Sequence, residues 1–330
     1  MAGSSIDTDL LVIGAGPTGL FATYYAGFRG FEVAVVDSLP ELGGQITAMY
    51  PEKAILDVAG FPHVKGRDLV AGLVEQAATA KPTYLLDRTA LTLTEHDDFL
   101  TVGLDDDTEV RAKAMLITAG IGKFSPRPLP AGDGWVGRGV EYFVPSFEPY
   151  VGRDVVIVGG GDSAFDWAKH LEPVARSVTL VHRRDAFRAH QRTVDEVRAS
   201  SVQVVTKAQV SQIHGDQEAG EVTGVDLTVD GEEQPRTLPA QAIVAALGFV
   251  ADLGALQTWG LETDKRHVVV DSSMRTNLAR VFAAGDITEY AGKVRLIATG
   301  FGEAATAVNN AAVVIDPSAH VFPGHSSEGS

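Results

Sequence analysis

Two stretches of the chain show the same succession of apolar and polar residues at an offset of 145 positions. Each opens with an uninterrupted apolar run, Leu-Leu-Val-Ile at 10–13 and Val-Val-Ile-Val at 155–158. Such runs are typical of parallel strands that are buried on both faces. A glycine-rich turn, a helix-compatible segment and a second β-rich run follow in each stretch, so the pattern predicts two βαβ units. The predicted elements are a strand at 9–13, a helix at 20–28 and a strand at 32–36, with counterparts at 154–158, 165–171 and 177–181.

Further segments complete the predicted sheets. The apolar runs 114–120 and 242–248 both end in glycine, and we expect them to close the two units and to mark the crossings between domains. The run 281–284 leads into Gly285-Asp286 and precedes a helix-like stretch at 300–314. Asp286 is therefore predicted near the end of a strand, with a helix cap or a loop carboxylate as the alternative. The acidic triplet 105–107 lies between β-rich runs, which predicts a hairpin turn rather than a metal site.

Both glycine-rich turns, GAGPTG at 14–19 and GGGDSA at 159–164, have the spacing of a dinucleotide-binding turn. The first glycine permits the tight turn, the second lets the backbone approach a pyrophosphate, and the small last residue lets helix and strand pack closely. Free N–H groups and the helix dipole then favour phosphate at the helix N-terminus. The candidate cofactor-binding residues of the two turns are Gly14, Gly16, Thr18 and Gly19, and Gly159, Gly161, Asp162 and Ser163.

The residue 23 positions beyond the first glycine of each turn is expected to face the adenosine ribose. In the first unit it is Asp37, whose carboxylate accepts hydrogen bonds from both ribose hydroxyls and would repel a 2′-phosphate. In the second it is His182, followed by Arg183, Arg184 and Arg188, whose guanidinium groups suit a phosphate. The first site is therefore predicted to bind FAD or NAD and the second NADP, with a solvated helix face as the alternative for the arginines.

Composition and charge exclude several classes of protein. Lys and Arg number 27 against 43 Asp and Glu, a net charge of −16, which argues against nucleic acid or an anionic membrane as a partner. The chain has no Cys, so a disulfide scaffold, a thiolate metal site and a cysteine nucleophile are excluded. Asp7 and Asp9 stand where a secretory signal would be positively charged, and glycines interrupt the apolar stretch 10–27. We expect a cytoplasmic protein without a membrane span.

Several motifs together resemble the two-dinucleotide-binding flavoproteins, and most closely the thioredoxin-reductase-like ferredoxin–NADP reductases. They are the two glycine turns, Glu41-Leu42-Gly43-Gly44-Gln45, the segment 182–189 that begins His-Arg-Arg, and the segment 282–286. The resemblance covers nearly the whole chain. It implies an α/β fold with two Rossmann-like domains in a thioredoxin-reductase-like architecture, with a discontinuous FAD domain at 1–120 and 250–330 and an inserted NADPH domain at 121–249.

The resemblance also implies individual site residues. Tyr50 is similar to the family's ring-stacking tyrosine, and in the C-terminal tail His325 would stack on the opposite flavin face, with Ser327 near the ring. These three are the candidate catalytic residues. From the residues alone, the tail would be predicted to be disordered and Tyr50 to be a packing aromatic. The FAD contacts that carry over are Asp37, Gln45, Tyr50, the Ala90 backbone, Asp286, Ser327 and Phe124, for which simple packing is the alternative.

The segment 140–146 stands where a thioredoxin reductase would carry its CxxC pair, and it holds no thiol. Thiol exchange with a protein disulfide is therefore excluded. The resemblance implies hydride transfer from NADPH to FAD, then single-electron transfer to ferredoxin or flavodoxin, in a homodimer. Two alternatives remain. One is an NADPH-dependent diaphorase that reduces quinones or free flavin, and the other is a non-catalytic FAD protein that senses NADPH.

Overall fold

The computed structural model describes residues 4–322 and 324, without the side chains of 123, 124 and 251. The described residues form two compact units. The first unit contains the chain up to Lys123 and from Ala251 onward, and the second contains Phe124–Val250. The chain therefore leaves the first unit, builds the second and returns to complete the first.

The elements are numbered in chain order. The first unit opens with β1 (Ser5–Ile13), α1 (Pro17–Phe28), β2 (Val33–Asp37), α2 (Gln45–Met49), β3 (Ala54–Ile55), β4 (Val64–Lys65), α3 (Gly66–Ala78), β5 (Thr83–Leu86), β6 (Ala90–Glu95), β7 (Leu100–Leu104) and β8 (Glu109–Ile117). The strands at the two crossings are β9 (Lys123–Pro126) and, later in the chain, β18 (Phe249–Asp252). Between them follow β10 (Val140–Glu141), β11 (Asp154–Gly159), α4 (Asp162–Leu171), β12 (Ser177–His182), α5 (Gln191–Arg198), β13 (Gln203–Thr206), β14 (Ala208–Asp216), β15 (Glu221–Val229), β16 (Arg236–Pro239) and β17 (Ala242–Ala246). The first unit ends with β19 (Thr263–Asp264), β20 (His267–Val269), β21 (Val281–Ala283), β22 (Thr288–Glu289) and α6 (Ile297–Ile315).

The main sheet of the first unit is built around β1, whose parallel neighbours are β2 and β8. β5 extends the sheet in parallel beyond β2, and β21 pairs in parallel with the carboxyl half of β8. β7 and β6 continue from the amino half of β8 in antiparallel pairing. Because β1, β2, β8 and β21 are parallel, their carboxyl ends meet at one edge, which is where ligands bind in sheets of this kind.

The main sheet of the second unit repeats this arrangement around β11. β11 lies between β12 and β17, with β13 and β10 outside them, and all these pairings are parallel. A separate antiparallel sheet of β14, β15 and β16 contributes apolar side chains to the same core, in which Val156 and Val181 lie beside Ile213 and Val225. Each unit therefore has a parallel sheet with a hydrophobic core of its own.

The structure contains each element that the apolar pattern predicts, with differences at the ends. β1 begins at Ser5 because residues 5–8 pair with residues 109–112 of β8. α1 begins at Pro17, since proline has a helical φ and the first helical position needs no N–H donor. The acidic triplet 105–107 forms the turn between β7 and β8, with Asp107 at φ +64°.

The helices of the first unit pack closely through small residues. The buried face of α6 carries Gly300, Ala304, Ala307 and Ala311, which lets α1 approach it.

Among the residues described, no helix combines the length and apolarity needed to cross a bilayer. In the same part of the chain, no group of three or more His, Asp or Glu side chains could hold a metal ion.

Candidate nucleotide-binding sites

The turn after β1 is tightly packed at its ends and open in its middle. Gly14 has φ +110°, and a Cβ there would lie 2.6 Å from the Thr118 carbonyl oxygen. A Cβ at Gly19 would overlap the Gly14 carbonyl oxygen, whereas one at Gly16 would have no protein atom within 4 Å. Gly16 is also the N-cap of α1, and no side chain caps this helix. The turn therefore presents unused N–H groups beside open space, as an anion site requires.

A second glycine pair, Gly43-Gly44, is held against this turn. The Gly43 N–H donates a hydrogen bond of 2.9 Å to the Ala15 carbonyl. A Cβ at Gly44 would lie 2.9 Å from the Gly16 Cα, so glycine is required for this close approach. Gln45 follows as the first residue of α2, and its side-chain amide would be 2.9 Å from a Cβ at Gly120. Gln45 is thus brought to the carboxyl edge of the sheet.

Asp37 ends β2 and is half-buried beside the glycine turn. One carboxylate oxygen accepts the Ala15 N–H at 2.6 Å, and the other accepts the Leu39 N–H at 2.8 Å. Burial raises the pKa of Asp37, and the two backbone hydrogen bonds act in the opposite direction. A carboxylate has about four acceptor positions, so each oxygen retains one for a ligand. The Arg88 N–H donates to the Asp37 carbonyl at 3.1 Å, which brings Ala90, the first residue of β6, close to the same edge.

The charge of Asp286 acts on Tyr50 at this end of the first unit. Burial and then the carboxylates of Asp286 and Asp57 raise the pKa of Tyr50 to about 12, so its phenol is neutral at physiological pH. Asp286 is half-buried just beyond β21, and its carboxylate accepts no hydrogen bond from any residue that the structure describes. Burial raises the pKa of Asp286, and the charge of Lys293 opposes the shift. Asp286 therefore has its acceptor positions available.

Sequence reasoning missed a buried ion pair next to Asp286. The Lys293 ammonium lies 2.5 Å from the Glu303 carboxylate, and their side chains are only 1% and 5% exposed. Glu303 also accepts the Gly285 N–H at 2.7 Å and the Tyr290 hydroxyl at 2.6 Å. A sequence signal existed, because Glu303 is the only charged residue of α6.

The structure shows a packing contact for Thr18. Its hydroxyl oxygen would lie 2.8 Å from a Cβ at Gly285 and would overlap one at Gly300. Thr18 therefore lies where α1 meets the end of β21 and the first turn of α6. Its predicted contact with a cofactor stays a prediction.

The glycine turn of the second unit has the same division into packed and open positions. A Cβ at Gly159 would overlap the Ala246 carbonyl oxygen, whereas one at Gly161 would have no neighbour within 4 Å. Gly161 is the N-cap of α4, again without a side-chain cap. Ser163 is exposed, and its hydroxyl makes no hydrogen bond within the described part of the chain. Asp162 accepts the His190 N–H at 2.8 Å, so it anchors the loop that precedes α5.

This loop, residues 183–190, carries the arginines predicted to bind a phosphate. The backbone N–H of Arg188 donates to the Gly160 carbonyl at 2.8 Å, which joins the loop directly to the glycine turn. Phe187 packs edge-on against Phe165 of α4, with ring centroids 4.7 Å apart. The loop is therefore fixed to the turn through backbone hydrogen bonds and aromatic packing.

The exposed arginines of the loop differ from those of the following helix. Arg183, Arg184 and Arg188 form no ion pair with any described residue. Arg192 of α5 pairs with Glu196 at 3.0 Å, and the Arg198 guanidinium lies 5.3 Å from the centre of the Phe187 ring. The alternative interpretation, a solvated helix face, therefore suits the arginines of α5. Arg183, Arg184 and Arg188 lie in the loop before that helix.

His182 ends β12, and its ring lies over the glycine turn. A Cβ at Gly160 would overlap this ring, so the close approach requires glycine. Burial lowers the pKa of His182, the backbone hydrogen bond with Ala186 opposes this, and the charges of Arg183 and Arg184 lower it further. The imidazole is therefore neutral near pH 7 and packs as an uncharged ring.

Some predicted site residues cannot be placed. His325 and Ser327 lie outside the described residues, as does the side chain of Phe124. In the thiol-free segment 140–146, the Phe143 ring stacks in parallel on Phe249, with centroids 5.4 Å apart. The segment that aligns with the CxxC pair of a thioredoxin reductase thus contributes a ring to an aromatic pair.

Comparisons with known proteins agree with this geometry. The family described as pyridine nucleotide-disulphide oxidoreductase matches residues 8–311 of the chain. A protein of Nocardioides sp. (strain JS614) named ferredoxin–NADP reductase is 82% identical over 99% of each chain. One of the same name from Salinispora arenicola is 63% identical over 98% of this chain and 99% of its own. The solved thioredoxin reductase of T. acidophilum is 25% identical, covers 92% of this chain and 97% of its own, and has a TM-score of 0.77, which confirms the predicted fold.

Proposed function

Because the chain belongs to the pyridine nucleotide-disulphide oxidoreductase family, we propose that it is a ferredoxin–NADP reductase, with FAD in its first unit and NADP(H) in its second. Two relatives that carry this name match it along their whole length, at 82% and 63% identity. The observation that carries the proposal is the contrast between the two ribose-facing positions. A carboxylate stands at one, and the other is followed by a loop whose arginines form no ion pair within the described part of the chain.

The first unit fits FAD. The open position at Gly16 and the uncapped start of α1 suit a pyrophosphate. Asp37 is already fixed by two backbone N–H groups and retains an acceptor position on each oxygen for the ribose hydroxyls. Asp286 adds a second carboxylate, one that accepts no hydrogen bond from the described residues, and Gln45 lies at the same edge of the sheet. The predicted contacts of Tyr50, Ala90 and Phe124, and of His325 and Ser327 in the tail, belong to the same proposal.

The second unit fits NADP. Gly161 and the uncapped start of α4 repeat the pyrophosphate site. Arg183, Arg184 and Arg188 are exposed and unpaired among the described residues, and guanidinium groups bind phosphate bidentately. Because hydrogen bonds fix the loop to the turn, the backbone that carries these cations is in place before any ligand binds. That arrangement favours NADP over NAD, whose ribose has no 2′-phosphate.

FAD, when bound, accepts a hydride from NADPH and delivers electrons singly to a protein acceptor. The residues of the chain bind and orient FAD and NADP(H), and none of them needs to act as a general base in hydride transfer. Tyr50 offers a neutral aromatic ring, since its pKa is about 12. The chain has no cysteine, so no thiol relays the electrons. A one-electron protein, ferredoxin or flavodoxin, is therefore the proposed acceptor, and we also propose a homodimer.

The test is purification followed by an absorbance spectrum and an assay of NADPH-driven cytochrome c reduction in the presence and absence of ferredoxin. We expect a yellow protein whose cytochrome c reduction requires ferredoxin. A colourless protein that added FAD fails to reconstitute would overturn the proposal. Turnover with free quinones but none with ferredoxin or flavodoxin would assign a diaphorase instead. A flavin that stays oxidised when mixed with NADPH without oxygen would indicate a sensor.

A further inference from the structure

The Lys293–Glu303 pair is the most deeply buried ion pair that the structure describes. The two side chains are 1% and 5% exposed. Replacing a buried ion pair by apolar residues is often neutral or stabilising, because removing charges from water is costly. Stability alone is therefore a weak reason for this pair, and its surroundings suggest another.

The pair holds both polar groups of the peptide units at Gly285. Glu303 accepts the Gly285 N–H at 2.7 Å, and Lys293 donates to the Gly285 carbonyl at 2.9 Å. The buried Thr288 hydroxyl donates to the same carbonyl at 2.8 Å. Gly285 has φ +83°, so the chain turns sharply here before Asp286. The pair thus fixes the direction in which the chain enters Asp286.

The charges around Asp286 are also balanced by the pair. The pKa of Asp286 is lowered by the charges of Lys293, Arg295 and His267 and raised by that of Glu303. Asp286 in turn raises the pKa of Tyr50. Glu303 alone would place a second buried negative charge beside Asp286. The Lys293 ammonium offsets the Glu303 charge, so that the pair itself adds no net charge beside a polyanionic ligand at this edge.

We propose that Lys293 and Glu303 are positioning residues for FAD. They hold the Gly285 turn and add no net charge beside it, so that Asp286 is available to the flavin nucleotide. This inference rests on the proposed FAD site in the first unit. It predicts that the effects of the two substitutions on FAD binding are coupled. Removing Lys293 leaves the Glu303 carboxylate buried without its cation, and removing the Glu303 charge as well relieves that cost.

The test is a double-mutant cycle on the full-length chain freed of flavin, with FAD affinity measured by fluorescence titration at pH 8. Lys293→Met should weaken FAD binding about tenfold or more, equivalent to about 1.4 kcal/mol. Glu303→Gln keeps the shape and should cost less. The double variant should bind FAD more tightly than Lys293→Met alone. Should Lys293→Met fail to fold, Lys293→Gln carries the same test, because it too removes the charge.

Lys113→Met is the matched control. It makes the same substitution in the same unit, but the Lys113 side chain is 54% exposed and pairs with Asp9, and Lys113 is not among the charges that act on Asp286. Exposed pairs contribute little, so FAD affinity should change by less than about threefold. An equal loss in Lys113→Met and Lys293→Met would overturn the inference, as would a double variant no better than Lys293→Met. Unchanged binding in Lys293→Met would also overturn it, whereas a wild-type chain that binds no FAD refutes the proposed function itself.

Discussion

Replacing Arg183 and Arg184 together by alanine should remove most of the preference for NADPH over NADH. Both side chains are exposed and make no ion pair with a described residue, so their loss breaks no ion pair in that part of the chain. The loop should keep its place, since it is held by the Arg188 N–H on the Gly160 carbonyl and by the Asp162 carboxylate on the His190 N–H. The variant therefore tests the 2′-phosphate contact separately from the fold.

The size of the effect follows from the exposure of these residues. A hydrogen bond to a charged group contributes about 1.5–3 kcal/mol. Because Arg183 and Arg184 are exposed and screened by salt, we take the lower value for each. The ratio of kcat/KM for NADPH to that for NADH should then fall by about 3 kcal/mol, or roughly a hundredfold.

The assay is steady-state turnover with both nucleotides and one acceptor, supported by the rate of flavin reduction after rapid mixing. Arg192→Ala is the control, since that residue pairs with Glu196 on α5 and its side chain is 91% exposed. It should leave the preference unchanged. A double variant that still prefers NADPH as strongly as the wild type does would refute the placement of the 2′-phosphate, as would an equal change in the control.

Three further predictions concern single positions. Gly16→Ala should abolish or weaken FAD binding, because its methyl group would enter the open space proposed for the pyrophosphate, while the unfolding midpoint of the flavin-free chain stays unchanged. Gly14→Ala, in contrast, should lower that midpoint, since φ is +110° and the new methyl group would clash with the Thr118 carbonyl. Gly161→Ala should raise KM for NADPH without changing FAD content, and a loss of bound flavin would contradict it. Folding raises the pKa of Tyr50 from 10.0 to about 12, so its contribution to stability is complete below pH 10 and is lost as the pH rises to 12. Tyr50→Phe should therefore reduce the fall in unfolding free energy over that interval by about 2 kcal/mol in urea titrations, and an identical fall in both proteins would show that the phenol is not shielded.

The sequence was most informative where local geometry is repeated. A strand, a tight turn, a helix and a second strand have nearly fixed lengths, so counting 23 residues reached the ends of β2 and β12 in both units. It was least informative where a contact joins distant segments. Lys293 precedes α6 in a turn and resembles an ordinary surface cation, and only tertiary packing buries it against Glu303. The anchoring of the arginine loop likewise depends on Phe187 meeting Phe165, which no local spacing indicates.

The two turns also show how the residue that ends the second strand of each unit constrains its surroundings. Ala15 and Gly160 occupy the same place, between the first and second glycines. Ala15 is tolerated because Asp37 reaches only its N–H, whereas the His182 ring occupies the space that a side chain at Gly160 would need. The bare Gly160 backbone then accepts the Arg188 N–H, which draws the arginine loop onto the turn. At the proposed NADP site, nucleotide preference would therefore depend on linked positions rather than on one residue. Exchanging His182 for a carboxylate alone should weaken the preference for NADPH, because the carboxylate repels the 2′-phosphate, but it should not reverse the preference, because the arginines stay in place.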